Sequence, residues 1–411
     1  MIVKNNGKIL YILIFISALF ALFCDVFTAF PARAAEHEST PAQAGHTGGE
    51  EKSAVARGVN YYKNIISQND KKQSVYVLEL DLFKSDFEME SVFGQDCMYK
   101  KETVSSMARR KNAIAAVNGA FFSKAGAPLG MLVHQGKIVK EPILGRTVFG
   151  VTNDNEFFFD NPRFDARFFF KKAGSEEMSY VELDGINRAP GDEEVIIFTS
   201  EYGNKTRTSS KTSLEIIVVD EKIVAIGGNN SIIPPEGYVI HAGGFMASEL
   251  ERAVIGNTAY MELYVNPVWE KAKFAVGGGP RLLTGGAITV EAKAEKFKSD
   301  VVSGRAPRTA VGITADKRVL MVCVDGRQKN SAGMTLKELA KYMKKLGAVD
   351  AMNLDGGGST TFFLMGKVLN SPSDGRERPV SQALVIKPRS APGGELTASS
   401  GAAAVQTNRI R

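Results

Sequence analysis

Apolar residues in this chain fall into short runs broken by turn residues, the signature of strands rather than of long amphipathic helices. Such runs occur at 74–82 (SVYVLELDL), 113–122 (AIAAVNGAFF), 148–152, 156–160, 194–199, 214–220, 238–244, 259–265, 309–314, 318–326 (RVLMVCVDG) and 383–387. Residues 131–139 (MLVHQGKIV) predict a hairpin, with Gly136 free to take a positive φ in its turn. Helical spacing is clear at 335–347, where Leu336, Leu339, Ala340, Met343 and Leu346 recur on one face. Thr335 and Glu338 form a capping box there, and Gly347 fits the C-terminal cap. Residues 103–112 predict a second helix that runs straight into a strand. The expectation is an α+β fold: one catalytic domain rich in mixed or antiparallel sheet, with a few packed helices.

The ends read differently. Lys4 and Lys8 precede an apolar run, 9–23, and Ala32-Arg33-Ala34 has a small-x-small pattern, so residues 1–34 are expected to be a secretory signal peptide. The competing reading is a retained membrane anchor. Residues 35–56 are polar and read as a disordered linker, 57–387 as the folded domain, and 388–411 as a disordered tail rich in Ala, Gly and Ser. Export makes the protein secreted, periplasmic or bound for the cell envelope, with no stable membrane insertion after cleavage.

Charge then excludes one class of partner. Cleavage removes three cations and one anion, so the net charge of +6 becomes +4, with no basic cluster interleaved with aromatics. Nucleic acid is not an expected partner. Cys323 lies inside the apolar run VLMVCV and reads as a buried free thiol; no disulfide framework is expected. Four histidines, none in a metal-type or triad spacing, leave catalysis to carboxylates.

Two apolar runs end in Asp-Gly, at Asp325 and Asp355, and the second continues as Gly356-Gly357-Gly358-Ser359-Thr360. Three consecutive glycines are entropically costly, which implies a special backbone shape or the close approach of a ligand. Period-two geometry places Asn353 and Asp355 on one face, and likewise Asp325 and Arg327. Arg281, Arg308 and Arg327 lie beside such turns or strand starts, and guanidinium groups bind phosphate bidentately without losing charge. Each feature alone is ordinary turn or strand chemistry; the combination points to an anionic ligand.

These residues also resemble a known family. NLDGGGSTTF, PRTAVGIT, LMVCVDGR, SAGMTLKELAKYMKKLGAVDAMNLDGGGST and SDGRERPVSQALVI look like the phosphodiester glycosidase domain, the family of the lysosomal uncovering enzyme. Upstream, TVSSMARRKNAIAAVNGAFF, GAPLGMLVHQGKIV, IPPEGYVIHAGG and GGGPRLL follow the same pattern, from about residue 57 to 387. The resemblance implies hydrolysis of the bond between an anomeric carbon and a phosphate oxygen, with a phosphorylated glycan or sugar phosphodiester as substrate. It suits exopolysaccharide or cell-envelope metabolism. Asp355 is then the first choice for the carboxylate and Asp325 the second. Arg281, Arg308, Arg327 and the N–H groups of Gly356, Gly357 and Gly358 would stabilise the departing phosphate. Asn118 and Asn353 would hold sugar hydroxyls, and Ser359 and Thr360 would donate to phosphate. No cofactor is required on this reading. The alternatives are a metal-dependent phosphodiesterase, with Asp325, Asn353 and Asp355 holding a divalent cation, and a non-catalytic envelope glycan-binding module. The module would need exposed aromatic platforms, and Trp269 is the sole tryptophan.

Overall fold

The chain is described by a computed structural model that covers residues 51–68 and 71–389. The expected signal peptide, most of the linker and all but the start of the tail lie outside the described residues. The last six residues expected in the linker, Glu51–Ala56, instead form a strand paired with Val59–Gln68.

The central element is an eight-stranded sheet in the order 51–56, 59–68, 71–80, 319–324, 308–314, 348–353, 281–284, 287–288. Every neighbouring pair in it is antiparallel. The continuous apolar run VLMVCV is explained by burial of both faces. Val319, Met321 and Cys323 point into one core, while Leu320, Val322 and Val324 point into another. Lys71–Leu80 alternates the same way, with Tyr76, Leu78 and Leu80 on the first face and Val75 and Val77 on the second. A strand buried on both sides cannot show the polar-apolar alternation of a surface strand.

The second core is covered by the helix Leu336–Lys345, whose Leu336, Leu339, Ala340 and Met343 are fully buried. Its capping box is formed as expected: Thr335 Oγ1 accepts from Glu338 N, and Glu338 accepts from Thr335 N at 2.9 Å. The first core is closed by two five-stranded antiparallel sheets. One has the order 367–368, 362–364, 115–118, 382–388, 87–93; the other runs 137–140, 132–134, 272–277, 148–152, 157–160. Between residues 165 and 264 the chain builds a separate packed pair. A three-stranded sheet (178–182, 165–171, 259–264) covers a five-stranded one through Phe168, Phe170, Ile197, Ile216 and Ile240.

The α+β expectation is corrected by this architecture. About 45% of the structure is strand and 11% helix, so the fold is mostly β, in several antiparallel sheets. Among the described residues the helices are Val104–Arg110, Met246–Leu250, Ser299–Ser303 and Leu336–Lys345, and three of them are two turns or less. Strands at Phe87–Phe93, Asp165–Lys171, Met178–Glu182, Lys222–Gly227 and Ala272–Gly277 add to those expected from the pattern. The one parallel pairing among the described strands is the short contact of 185–186 with 195–199.

Candidate functional site

Four strand ends meet around the triple-glycine turn. They are the C-terminal ends of Ala115–Asn118, Val319–Val324 and Ala348–Asn353, and the N-terminal end of Arg308–Thr314. The strands 115–118 and 348–353, each preceded by a helix, belong to different sheets, yet their ends touch. Asp355 N donates to Gly119 O at 3.2 Å, and Asn118 Nδ2 donates to Asp355 O at 2.6 Å. The Oδ1 of Asn118 accepts from Thr309 Oγ1 at 2.7 Å and from Thr361 N at 3.2 Å, all in a dry interior. Asn118 thus positions the turn with both ends of its amide.

Each glycine of the turn has its own physical reason. Gly356 lies against the backbone of Pro307, whose carbonyl oxygen would be 2.7 Å from an added Cβ. Gly357 has a φ of +60°, and its Cβ would lie 3.2 Å from Arg327 Nη1. Gly358 is covered by the Arg378–Asp374 ion pair, which occupies the space a Cβ would need. The turn is bare because protein groups, two of them guanidinium groups, close over it.

Asp355 is largely buried, and its carboxylate accepts from Gly356 N at 3.0 Å. Burial raises its pKa to about 6, against the smaller lowering effects of Ser359, the Gly356 N–H and the charge of Arg378. Near neutral pH this carboxylate exists at the edge of ionisation, the condition in which a catalytic acid or base is useful.

Asp325 occupies a different environment. Its side chain is 3% exposed and accepts from Tyr76 Oη at 3.2 Å, Asn370 Nδ2 at 3.2 Å and Ser371 N at 3.0 and 3.1 Å. Burial raises its pKa, and those three donors work against the rise. Its carboxylate fastens residues 370–371 to the central sheet.

The three arginines separate as sharply. Arg281 is held by other partners, bonded to Asp350, Leu283 O and Phe159 O. Arg308 is 4% exposed and has no carboxylate partner among the described residues; Nε donates to Met334 O, and Nη2 donates to Val301 O and Gly304 O. Burial, and then the neighbouring charge of Arg327, push its pKa down to about 10, so it stays charged at neutral pH. Arg327 is exposed, has a φ of +59°, and makes no hydrogen bond or ion pair among the described residues. Its left-handed backbone turns it away from Asp325, so the shared face expected from period two does not form. The like charge of Arg327 thus acts on buried Arg308, and an anion bound at Arg327 would relieve it.

The remaining expected residues line the same turn. Asn353 Nδ2 donates to Gly279 O and Leu354 O, while its Oδ1 is buried with no partner among the described residues. Ser359 Oγ is buried beside Asp355, whose carboxylate it helps to hold ionised. Thr360 Oγ1 meets Thr309 Oγ1 at 3.4 Å. Of the family-like segments rich in glycine, VNGAFF, VGGGPRLL and LDGGGST converge here. HAGGF belongs to the 165–264 pair, where Gly243 and Gly244 pack on Asp192 O. His241 also lies there, buried 3.2 Å from Glu215, and contributes nothing to this site. Cys323 is a buried free thiol, as expected.

Arg378 and Asp374 did not stand out among the candidate residues. Their signal was the charge-dense segment SDGRERP, which bears no strand or helix period and so gives no hint of what it covers.

The structure thus sets a strand-end carboxylate with a raised pKa in the same glycine turn that the Arg327 guanidinium covers. The family comparison agrees in kind: residues 213–387 match the model of the phosphodiester glycosidase family.

Among individual proteins, 76 residues are 40% identical to mouse N-acetylglucosamine-1-phosphodiester alpha-N-acetylglucosaminidase, covering 18% of this chain and 14% of that protein. The human protein of the same name is 42% identical over 67 residues, 16% of this chain and 13% of it. An uncharacterized prophage-derived protein of Bacillus subtilis is 39% identical over 80 residues, 20% of this chain and 12% of it. The matches thus span about an eighth of these relatives' length. In fold, a hypothetical protein from Synechocystis superposes with a TM-score of 0.73 at 21% identity, over 83% of this chain and 64% of the other. A Burkholderia pseudomallei protein named as a candidate exported protein gives 0.69 at 19%, over 87% and 100%.

Proposed function

We propose that this chain hydrolyses a sugar-1-phosphodiester by cleaving the bond between the anomeric carbon and the phosphate oxygen. The observation that carries this reading is the Asp355 carboxylate in a strand-end turn, with the exposed Arg327 guanidinium, unpaired among the described residues, lying over Gly357 of the same turn. In the reaction the C1–O bond breaks and its electron pair leaves with the phosphate monoester, whose growing charge falls on Arg327, with buried Arg308 adding positive potential from behind. Ionised Asp355 faces the sugar side, where it activates water or stabilises the oxocarbenium-like carbon. Water supplies the oxygen of the released sugar and a proton to balance the phosphate. The buried Asn353 Oδ1, without a partner among the described residues, offers an unfilled acceptor to the same ligand.

The metal-dependent alternative is weakened by Asp325, whose carboxylate oxygens are already taken by Tyr76, Asn370 and Ser371. Hydrolysis of nucleoside-diphosphate sugars and of teichoic-type sugar phosphodiesters in isotope-labelled water separates the two. Label in the sugar supports carbon–oxygen cleavage; label in the phosphate overturns it. Activity is expected to survive EDTA, and complete loss restored by Mg²⁺ or Mn²⁺ favours the metal reading.

The sequence's leader pattern supports action outside the cytoplasm, on envelope or extracellular glycans. Among the described residues no helix is long and apolar enough to cross a membrane.

A further inference from the structure

The three-stranded sheet of the 165–264 pair has a second face that the core does not use. Phe168, Phe170 and Val181 point inward. On the opposite face, strand register sets Tyr180, Phe169 and Tyr260 in one row across the sheet. The Phe169 ring stacks on Tyr260 at 5.1 Å and 12°, and meets Tyr180 at 5.5 Å. The next row is Glu182, Arg167 and Glu262, and beyond it Asp165 faces Tyr264. The Arg167 guanidinium lies 5.1 Å from the Tyr180 ring and 5.2 Å from that of Tyr264. Tyr180 is 53% exposed and Tyr264 44%.

We propose that this face is a saccharide-binding platform for an uncharged stretch of a glycan, separate from the Asp355 turn. Phe169 and Tyr260 stack on each other and brace the row, while the exposed rings of Tyr180 and Tyr264 offer the surface on which the C–H sides of pyranose rings pack. Carboxylates and a guanidinium at the margins are acceptors and donors for hydroxyl groups. The sign of the charge selects the ligand: Asp165, Glu182 and Glu262 outnumber Arg167, and the nearby Lys171 is paired with Glu176 at 2.7 Å. Such a face repels phosphate and suits neutral sugar. It runs into a groove of about 550 Å³ lined by Asp160, Asn161, Arg163, Tyr264 and Glu270, a volume in the roughly 300–1,000 Å³ range of ligand sites. Tyr264 belongs to both.

The identity of the ligand as a glycan rests on the phosphodiester glycosidase reading, but the test does not depend on turnover. Pentamers of N-acetylglucosamine, glucose and mannose are titrated against the full chain by calorimetry and by protein NMR. Binding of at least one pentamer is expected, unchanged in Asp355→Asn. Tyr180→Ala together with Tyr264→Ala is expected to weaken it by about tenfold or more, since both exposed ring surfaces are lost. Tyr264→Ala alone, at the exposed end of its strand, gives a smaller loss and keeps the aromatic row intact should the double variant lose stability. For a polymeric substrate the variants raise KM and leave kcat unchanged; for a nucleoside-diphosphate sugar both stay the same. Failure to bind any pentamer overturns the platform, as does binding untouched by the variants. Sedimentation showing a dimer that the double variant dissociates also overturns it, in favour of a second copy of the chain. Persistent binding without hydrolysis of any phosphodiester leaves the platform standing and removes the catalytic reading.

Discussion

Asp325-Gly326 and Asp355-Gly356 are near-identical steps at the ends of two buried strands that flank 308–314, and the fold has made opposite things of them. Asp325 is filled: three donors reach its oxygens and Ser331 Oγ bonds its carbonyl. Asp355 keeps one bond from protein N–H, inside its own turn, and pays for burial with a raised pKa. The arginines repeat the contrast, since Arg281 is held by Asp350 and Arg327 by nothing among the described residues. A polar group that the fold has satisfied serves architecture; one left short of partners is available to a ligand.

The strongest way to break this comparison is to neutralise each aspartate. Asp355→Asn is expected to lower kcat by roughly a hundredfold or more. It is also expected to raise the melting temperature near pH 7.5. The sign follows from linkage. A carboxyl whose pKa is higher folded than unfolded stabilises the protein fully only below its unfolded pKa, near 4. That stabilisation is lost as pH rises through about 6. Removing the charge relieves a cost on the order of 1–3 kcal/mol above that pH. A turnover within a few-fold of the wild type would reassign the carboxylate.

Arg327→Gly sharpens the contrast among the cations. It is expected to cut kcat/KM by about tenfold to a hundredfold, the worth of a charge-assisted contact. Stability rises by roughly 1 kcal/mol because glycine removes the left-handed strain at φ +59°. Thermal melts and steady-state rates check both; a loss of stability makes Arg327 structural.

Asp325→Ala predicts the reverse pattern. It leaves Tyr76, Asn370 and Ser371 without their acceptor and costs about 1–3 kcal/mol by denaturant titration. The rate per folded molecule stays within a few-fold. A collapse of kcat in well-folded protein would move Asp325 into the chemistry.

The smallest expected effect is at Gly358. Alanine there displaces the Arg378–Asp374 pair, costing about 1 kcal/mol or somewhat more. The Asp355 pKa then moves slightly upward, because Arg378 is one of the charges that lower it.

Much of this was legible in the sequence because it depends on local pattern. The helix 336–345 and its cap, the buried strand 319–324 and the candidate turn all follow from spacing and turn chemistry. The balance of the fold was not: strands such as Asp165–Lys171, rich in consecutive phenylalanines, lack polar alternation because both faces carry aromatics. Pairing was equally hidden. Nothing local says that Asn118 bonds the turn at 355, or that Ser371 N fills Asp325, since each contact joins residues tens to hundreds of positions apart. The sequence thus presents two equal aspartates, and long-range hydrogen bonding decides between them.

The most direct test is the pH dependence of kcat/KM for wild type and Asp325→Asn on a nucleoside-diphosphate sugar. If ionised Asp355 is the working form, activity falls about tenfold per pH unit below a single pKa of about 6. Asp325→Asn keeps that limb in place, while any residual activity of Asp355→Asn is flat across it. A limb that disappears in Asp325→Asn, or persists in Asp355→Asn, contradicts the assignment.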